Sequence, residues 1–123
     1  MPKTIIFAHD KIGMDLVNWI LEEYYSDVLG IVVTEKNEIY EKSISFELPT
    51  HVYSDDDNCK EFIDNLTSKP QLGLLLWWPK ILKEKILNLS SHGFVNTHPS
   101  LLPYNRGKNY NFWTLVDETP CGV

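Results

Sequence analysis

The residues best suited to chemistry are an asparagine and a histidine in the stretch from Gly93 to Gly107, which reads Gly-Phe-Val-Asn-Thr-His-Pro-Ser-Leu-Leu-Pro-Tyr-Asn-Arg-Gly. In an extended chain, side chains two residues apart project from the same face, so Asn96 and His98 are predicted to share one pocket. An amide can hydrogen-bond a polar ligand, and an imidazole can gain or lose a proton near neutral pH. The pair is therefore suited to binding a ligand and moving a proton.

The residues after this pair require the chain to leave the sheet. Pro99 and Pro103 cannot donate to a strand ladder, and Gly107, after Arg106, tolerates a positive φ. In open α/β sheets, ligands bind outside the carboxyl ends of the strands. We therefore expect Asn96 and His98 at a ligand site if their strand is central in such a sheet.

The rest of the chain alternates strand and helix signals. Thr4 to Ala8 is a continuous apolar run, typical of a central strand in a parallel sheet, and further strands are predicted at 27–34, 51–53, 71–78 and 94–98. Helices are predicted after Asp10 as N-cap, after the acidic triplet 55–57, from Pro79, and over 109–116 with Phe112, Trp113 and Val116 buried. Residues 34–47 are predicted to form a surface loop, and a turn into another strand is expected from Thr119. This order predicts an α/β, Rossmann-like fold, a mainly parallel twisted sheet with helices on both faces.

The composition narrows the class of function. The 123 residues carry a net charge of −6 and no run of Lys and Arg, which argues against nucleic-acid or membrane-surface binding and favours a small ligand. The first apolar run is too short for a signal peptide, so we expect a cytoplasmic protein. Cys59 and Cys121 form no metal-binding or disulfide pattern, and the acidic triplet 55–57 suits a helix start better than a calcium loop. We assign no metal.

Two segments allow alternative interpretations. Trp77 and Trp78 end a predicted strand and could either pack in the core or form an apolar wall for a flat heterocycle beside Lys80. The turn at residues 10–13 could offer helix amides to a phosphate, although the glycine-rich dinucleotide fingerprint is absent.

The segment from Asn96 to Gly107, Asn-x-His-Pro-Ser-Leu-Leu-Pro-x-x-Arg-Gly, resembles the signature of the folate-dependent formyltransferases. The resemblance extends from the first strand to Val123, and the Trp-Trp-Pro-Lys turn and Leu-Pro-Tyr-Asn-Arg-Gly-Lys are most similar to the nucleotide-sugar branch. It implies formyl transfer from 10-formyltetrahydrofolate to a primary amine, the amino group of a nucleotide-linked amino sugar. Methionyl-tRNA or glycinamide ribonucleotide formyltransferase is the alternative within the enzymes, and a noncatalytic folate- or nucleotide-binding module is the alternative outside them.

The resemblance also implies roles for individual residues. Asn96 and His98 match the catalytic positions, where attack of an amine on the formyl carbon builds an oxyanion that an amide donor and a protonated imidazole can stabilise. The residues that match the cofactor site, the pterin pocket included, are Trp78, Pro79, Lys80, Ile81, Leu82 and Gly107. Lys80 and Arg106 are candidates for substrate binding, with exposed surface cations as the alternative for both.

The resemblance stops short of one family element. The family has a third catalytic residue, an aspartate that orients the histidine, in a segment after a strand that would begin near Cys121, and the 123 residues end before it. We therefore expect the N-terminal part of a catalytic domain, with very low activity on its own; a natural truncation or a half-site completed by another chain are the alternatives. The sheet edge left exposed could pair with a second copy, which makes a homodimer possible.

Overall fold

The centre of the fold is a five-stranded, all-parallel sheet. The computed structural model describes residues 1–107 and 109–122, with only the backbone of Asn111. The strands are β1 (Thr4–Ala8), β2 (Val28–Val33), β3 (Thr50–Val52), β4 (Leu72–Leu76) and β5 (Phe94–Asn96), in the order β3-β2-β1-β4-β5. The prediction of a Rossmann-like α/β fold with a central first strand is confirmed.

Helices connect the strands and lie on the two faces of the sheet. They are α1 (Asp10–Tyr24), α2 (Glu38–Ser45), α3 (Asp56–Asp64), α4 (Glu84–Leu87) and α5 (Tyr110–Val116), with a 3₁₀ turn at Tyr25–Asp27. Ile6 and Ala8 of β1 face a core cluster that contains residues of α1 and α2. Ile5 and Phe7, on the other face of the same strand, pack against residues of α3 and α4. One fully buried strand thus supplies both halves of the core, as expected when apolar side chains point alternately to two covered faces.

The last two strands are held close by a glycine. Gly73 of β4 lies opposite Phe94 of β5, and a Cβ atom on Gly73 would come 2.2 Å from the Phe94 ring. Phe94 in turn packs edge-on against Phe7, with ring centroids 5.8 Å apart. A side chain on Gly73 would therefore displace the Phe94 ring from its position between β4 and Phe7.

Two helix predictions in the first half of the chain are wrong. The segment 34–47, predicted as a surface loop, contains α2, whose N-cap Asn37 accepts hydrogen bonds from the amides of Ile39 (3.1 Å) and Tyr40 (3.2 Å). Asp10 is the first residue of α1 rather than its N-cap, and its carboxylate accepts from the next amide, Lys11 N, at 2.7 Å. The short α2 buries few side chains, Ile39 among them, so its apolar signal is weak.

The helix predicted to start at Pro79 begins later. The structure has no regular element between Leu76 and Glu84, because Trp77 has φ 58° and ends β4, and the Lys83 amide donates to Asp56 Oδ2 (3.3 Å) instead of to a helical carbonyl. Leu82 and Ile86 are nevertheless buried, as the pattern predicted. Residues 77–83 thus form an ordered loop at the carboxyl end of β4.

The last helix exists, but its predicted burial is wrong. Phe112, Trp113 and Val116 are 59%, 45% and 54% exposed. Residues 119–122 form no strand, and Val123 lies outside the described residues, as does Lys108. The apolar pattern of α5 therefore has no covering layer within this part of the chain.

The two cysteines lie in different environments. Both cysteines are free thiols: Cys59 is buried in α3, where burial raises its pKa to about 12, and Cys121 is exposed.

Among the helices that the structure describes, none is both long and apolar enough to cross a bilayer.

Candidate functional site

The carboxyl ends of β1, β4 and β5 meet at one edge of the parallel sheet, and hydrogen bonds join them there. His9 N donates to Leu76 O at 3.1 Å, and Thr97 N donates to Leu75 O at 3.1 Å. Trp77 N donates to the Thr97 hydroxyl at 3.0 Å. Thr97, which the sequence did not single out, therefore ties the loop after β4 to the residue between Asn96 and His98.

Asn96 is the last residue of β5 and lies opposite Leu75. Its side chain is exposed and makes no hydrogen bond with the residues that the structure describes. β5 ends at Asn96, so the regular strand is shorter than the predicted 94–98. Only one further hydrogen bond between the two strands, from Thr97 N to Leu75 O, lies beyond Asn96. An exposed amide at a strand end is free to donate a hydrogen bond to a ligand.

His98 is partly buried and held on two sides. Its ring packs edge-on against Tyr110, with centroids 5.0 Å apart, and its Nε2 lies 3.3 Å from the Asn105 carbonyl oxygen. A carbonyl oxygen only accepts, so this hydrogen bond requires a proton on Nε2, and in the neutral imidazole Nδ1 then carries the lone pair. The arrangement leaves Nδ1 as the proton acceptor. No carboxylate among the described residues hydrogen-bonds to His98.

Asn105 organises the loop that follows His98. Its carbonyl oxygen faces His98, and its side-chain amide donates to the hydroxyls of Thr114 (2.8 Å) and Thr119 (2.6 Å). Ser100, 3% exposed, donates to the Tyr104 carbonyl at 3.0 Å. Asn105 has φ 52°, a conformation that asparagine tolerates better than most residues. These side chains connect the loop to α5.

The two residues that end the motif are exposed. Arg106 forms no ion pair or hydrogen bond with the described part of the chain, so its guanidinium is available for a ligand. Gly107 has φ 94°, and a Cβ there would meet no atom within 4 Å. Backbone conformation, rather than crowding by the protein, explains this glycine.

The segment predicted for the cofactor begins with a tryptophan that packs inward. The Trp78 ring lies edge-on to Phe7 (5.2 Å between centroids) and to Tyr53 (5.5 Å), and its buried indole Nε1 has no partner among the described residues. Of the two alternatives for this side chain, core packing thus describes its observed contacts. Trp77 remains partly exposed and lies 6.5 Å from the Tyr110 ring.

The remainder of this segment has an open side. Ile81 is 88% exposed, whereas Leu82 is 7% exposed and points into the core cluster beneath β1. The Lys80 ammonium lies 5.5 Å from the centre of the Tyr53 ring. The backbone groups of residues 80–82 make no hydrogen bond with the described residues. Free backbone donors and acceptors beside apolar side chains fit the polar edge of a flat heterocycle such as a pterin.

A cavity of about 630 Å³ lies at the carboxyl ends of β1 and β2. It is lined by the carboxylates of Asp10, Asp15, Glu35 and Glu38, with Lys11 as its one lysine. The buried Asn18 Oδ1, also in the lining, has no partner within the described residues. This charge distribution argues against the phosphate considered for the turn at 10–13.

Comparison with known proteins gives consistent matches. A family model described as formyl transferase matches residues 5–117. The chain is 30% identical to the bifunctional polymyxin resistance protein ArnA of Wigglesworthia glossinidia brevipalpis, covering 98% of this chain and 20% of that protein. It is 34% identical to the methionyl-tRNA formyltransferase of Alkaliphilus oremlandii (strain OhILAs), covering 69% of this chain and 28% of that protein.

Among solved structures, the fold is similar to that of glycinamide ribonucleotide transformylase 1 from Symbiobacterium toebii. The TM-score is 0.74 at 16% identity, and the match covers 97% of this chain and 61% of that one. The matches thus span 20% and 28% of the two curated relatives and under two thirds of the solved structure.

Proposed function

Because the chain belongs to the formyl transferase family, we propose that it forms the N-terminal part of a catalytic domain that transfers a formyl group to a primary amine. The family uses 10-formyltetrahydrofolate as formyl donor. The observation that carries the proposal is the hydrogen bond from Trp77 N to the Thr97 hydroxyl, 3.0 Å long. It joins the residue before the proposed donor segment to the residue between Asn96 and His98, which supports a single site.

The residues proposed to hold the donor are Trp78, Pro79, Lys80, Ile81, Leu82 and Gly107. The free backbone groups of residues 80–82 would bind the polar edge of the pterin, and the exposed Ile81 side chain would cover part of an apolar face. When bound, the donor supplies the formyl group: the amine nitrogen bonds to the formyl carbon, the bond from that carbon to N10 of the folate breaks, and one proton passes from the amine to N10.

The catalytic roles proposed for Asn96 and His98 follow from their surroundings. The exposed Asn96 amide can donate to the oxygen on which negative charge develops. His98, fixed through Nε2 by the Asn105 carbonyl, presents Nδ1 to accept the proton of the attacking amine. General acid-base assistance of this kind contributes about 10² to 10⁴ in rate.

The proposed acceptor is the amino group of a nucleotide-linked amino sugar, with methionyl-tRNA and glycinamide ribonucleotide as the alternatives. Support comes from the motif Leu-Pro-Tyr-Asn-Arg-Gly-Lys and from Lys80 and Arg106, two exposed cations on the loops that flank the site. The acidic cavity after β1 disfavours a phosphate there, so these cations are the better candidates for the phosphates of such a substrate.

We also propose that this chain has very low activity alone and can pair with a second copy. Within the described residues, no carboxylate orients His98, and a missing member of a catalytic unit removes most of the rate gain. β5 is an edge strand, and Val95 on it is 56% exposed, so a second copy could cover it. A monomer by light scattering across micromolar concentrations would contradict the homodimer. The cytoplasmic location stays a prediction.

The first experiment is calorimetric titration of this chain with a stable analogue of 10-formyltetrahydrofolate. We expect saturable binding that Trp78→Ala weakens and His98→Ala leaves nearly intact, because His98 acts on the transferred group rather than on the pterin. Trp19→Ala is the matched control, since Trp19 is 55% exposed on α1. Thermal unfolding of each variant separates loss of the site from loss of the fold. Absence of binding by the folded wild type would contradict the proposal.

A further inference from the structure

A buried carboxylate beneath the donor segment links three elements of the fold. Asp56, in the first turn of α3, is 8% exposed. Its Oδ1 accepts from the Tyr53 hydroxyl at 2.6 Å, and its Oδ2 accepts from the Lys83 amide at 3.3 Å. One side chain therefore joins the end of β3 to the loop that enters α4.

Tyr53 extends this link to two more points of the same loop. Its ring lies edge-on to Trp78, with centroids 5.5 Å apart and an interplanar angle of 82°. The Lys80 ammonium lies 5.5 Å from the ring centroid on a cation-π contact. Burial, together with the hydrogen bond to Asp56, raises the pKa of Tyr53, so the phenol remains protonated and donates. The Tyr53–Asp56 pair thus contacts the loop at residues 78, 80 and 83.

The other acidic side chains of the triplet already have separate roles. Asp55 caps α3, because its carboxylate accepts from Asn58 N at 2.8 Å. Asp57 is exposed and forms an ion pair with Lys85 at 2.6 Å. Helix capping and surface pairing therefore do not require Asp56. The contacts of its carboxylate are directed to Tyr53 and to the loop.

The contacts leave the middle of the loop open. Ile81 is 88% exposed, and the backbone groups of residues 80–82 have no partner within the described chain. A loop that must order its backbone on binding loses part of the binding free energy, whereas a loop already held keeps it.

We propose that Asp56 is a positioning residue, which acts through Tyr53 and Lys83 to hold residues 78–82 in the conformation that binds the formyl donor. The inference rests on the proposed function, because it assumes that this segment binds the pterin. It assigns no contact between Asp56 and the donor.

The test compares donor-analogue affinity with stability in matched variants of this chain. Asp56→Ala removes both hydrogen bonds and should weaken binding of the stable 10-formyltetrahydrofolate analogue about tenfold or more, because a buried donor is left unpaired. Tyr53→Phe keeps the Lys83 contact and should weaken binding less. Asp56→Asn should restore most of the affinity, since its amide can accept from Lys83 N and donate to the Tyr53 oxygen. Asp57→Ala, in the same helix turn, should bind as wild type.

Ile63→Val separates positioning from general stability. Ile63 is 3% exposed on α3, so this substitution lowers the stability of the same helix without removing either hydrogen bond of Asp56. Affinity that falls with Asp56→Ala but not with Ile63→Val supports the inference. Equal affinity of wild type and Asp56→Ala, or equal weakening by Asp56→Ala and Ile63→Val, overturns it and leaves the proposed function standing. If Asp56→Ala does not fold, the other two variants decide. Weaker binding by Tyr53→Phe, with most of the affinity kept by Asp56→Asn, supports the inference, whereas wild-type affinity of Tyr53→Phe overturns it. A folded wild type that binds no analogue overturns both.

Discussion

The sheet around β1 and the region after β5 are stabilised by different interactions. Ile5, Ile6 and Phe7 are fully buried, whereas in α5 Leu115 is 79% exposed and Phe112 is 59% exposed. The first region relies on apolar burial from two covered faces. The second is held by side-chain hydrogen bonds, chiefly those of Asn105 to Thr114 and Thr119. The residues proposed for catalysis thus lie at the junction of a rigid scaffold and a lightly held loop.

This difference has a physical consequence for the site. Apolar burial fixes the ends of β1 and β4 within a packed interior, where small displacements are costly. Hydrogen bonds on an exposed loop contribute about 0.5 to 1.5 kcal/mol each, so that loop opens more readily than the sheet. Asn96 ends the edge strand β5, which pairs with β4, and His98 belongs to the loop.

The largest effect is expected in the sheet. Phe7→Ala removes a fully buried ring that packs against Trp78 and Phe94, and it should lower the free energy of unfolding by about 3 to 5 kcal/mol. Urea denaturation followed by circular dichroism measures the change. Leu115→Ala is the control, and at an exposed site it should change stability by less than about 0.5 kcal/mol. Similar losses from both variants would break the comparison between the two regions.

A smaller and local effect is expected at Asn105. Asn105→Asp keeps the shape and the left-handed backbone but can no longer donate to Thr114, whose hydroxyl already donates to the Tyr110 carbonyl, and this loss should destabilise the loop by about 1 to 2 kcal/mol. The Thr119 hydroxyl can instead donate to the new carboxylate. Amide hydrogen exchange should become faster in α5 and unchanged in β1.

Asn109→Asp is the matched control for that change. Asn109 has φ 58°, and its side chain makes no hydrogen bond with the described residues. It should leave exchange in α5 as it is in the wild type. Faster exchange throughout the sheet in Asn105→Asp would show that the loop and the sheet unfold together.

The smallest expected effect is a dependence of stability on pH, and it arises on β3, at the sheet edge opposite to β5. His51 stacks on Phe62 with ring centroids 5.1 Å apart, and burial lowers its pKa, with Asp55 opposing the shift. The unfolded chain, with a pKa of about 6.5, therefore takes up a proton before the folded chain does. The contribution of neutral His51 to the free energy of unfolding is therefore fully present above about pH 6.5. It is lost as the pH falls towards the lower pKa of His51 in the folded chain.

His51→Phe tests this effect because it keeps a flat ring without a titrating group. Urea midpoints measured from about pH 7 to about pH 5 should decline less in the variant than in the wild type. Identical slopes would remove His51 from the account of acid stability.

The sheet could be predicted from the sequence because burial leaves a local signal. The apolar run Thr4–Ala8 gave both the strand and its central position, and the acidic triplet marked the start of α3 correctly. The ends of individual helices were harder to predict from the sequence. Pro79 is compatible with a helix start, but the tertiary contact of Lys83 with Asp56 delays the helix to Glu84. The N-cap Asn37 followed by Glu38 was a signal for α2 that the polar composition of the segment obscured.

The site was predictable only in part for a related reason. Asn96 and His98 stand in a recognisable pattern, but only Asn96 belongs to β5, and His98 lies two residues beyond the end of the regular strand. Thr97, Asn105 and Asp56 act through contacts with residues 20, 14 and 27 positions away, and no local pattern records such distances. The exposure of α5 was missed because an apolar stripe predicts a buried face only where a neighbouring layer exists.

The central place of β1 also determines the order in which the chain can assemble. β1 pairs with β2 soon after it in the sequence, but its other edge pairs with β4, where Thr4 lies opposite Leu72. During synthesis, β1, β2 and β3 can therefore associate while one edge of the fully buried strand β1 still lacks its partner. Closing that long loop is slow, and an unpaired edge is prone to aggregation in the interval. Aggregation during folding is therefore expected to depend on how quickly β4 reaches β1, and not on the loop that carries the candidate catalytic residues.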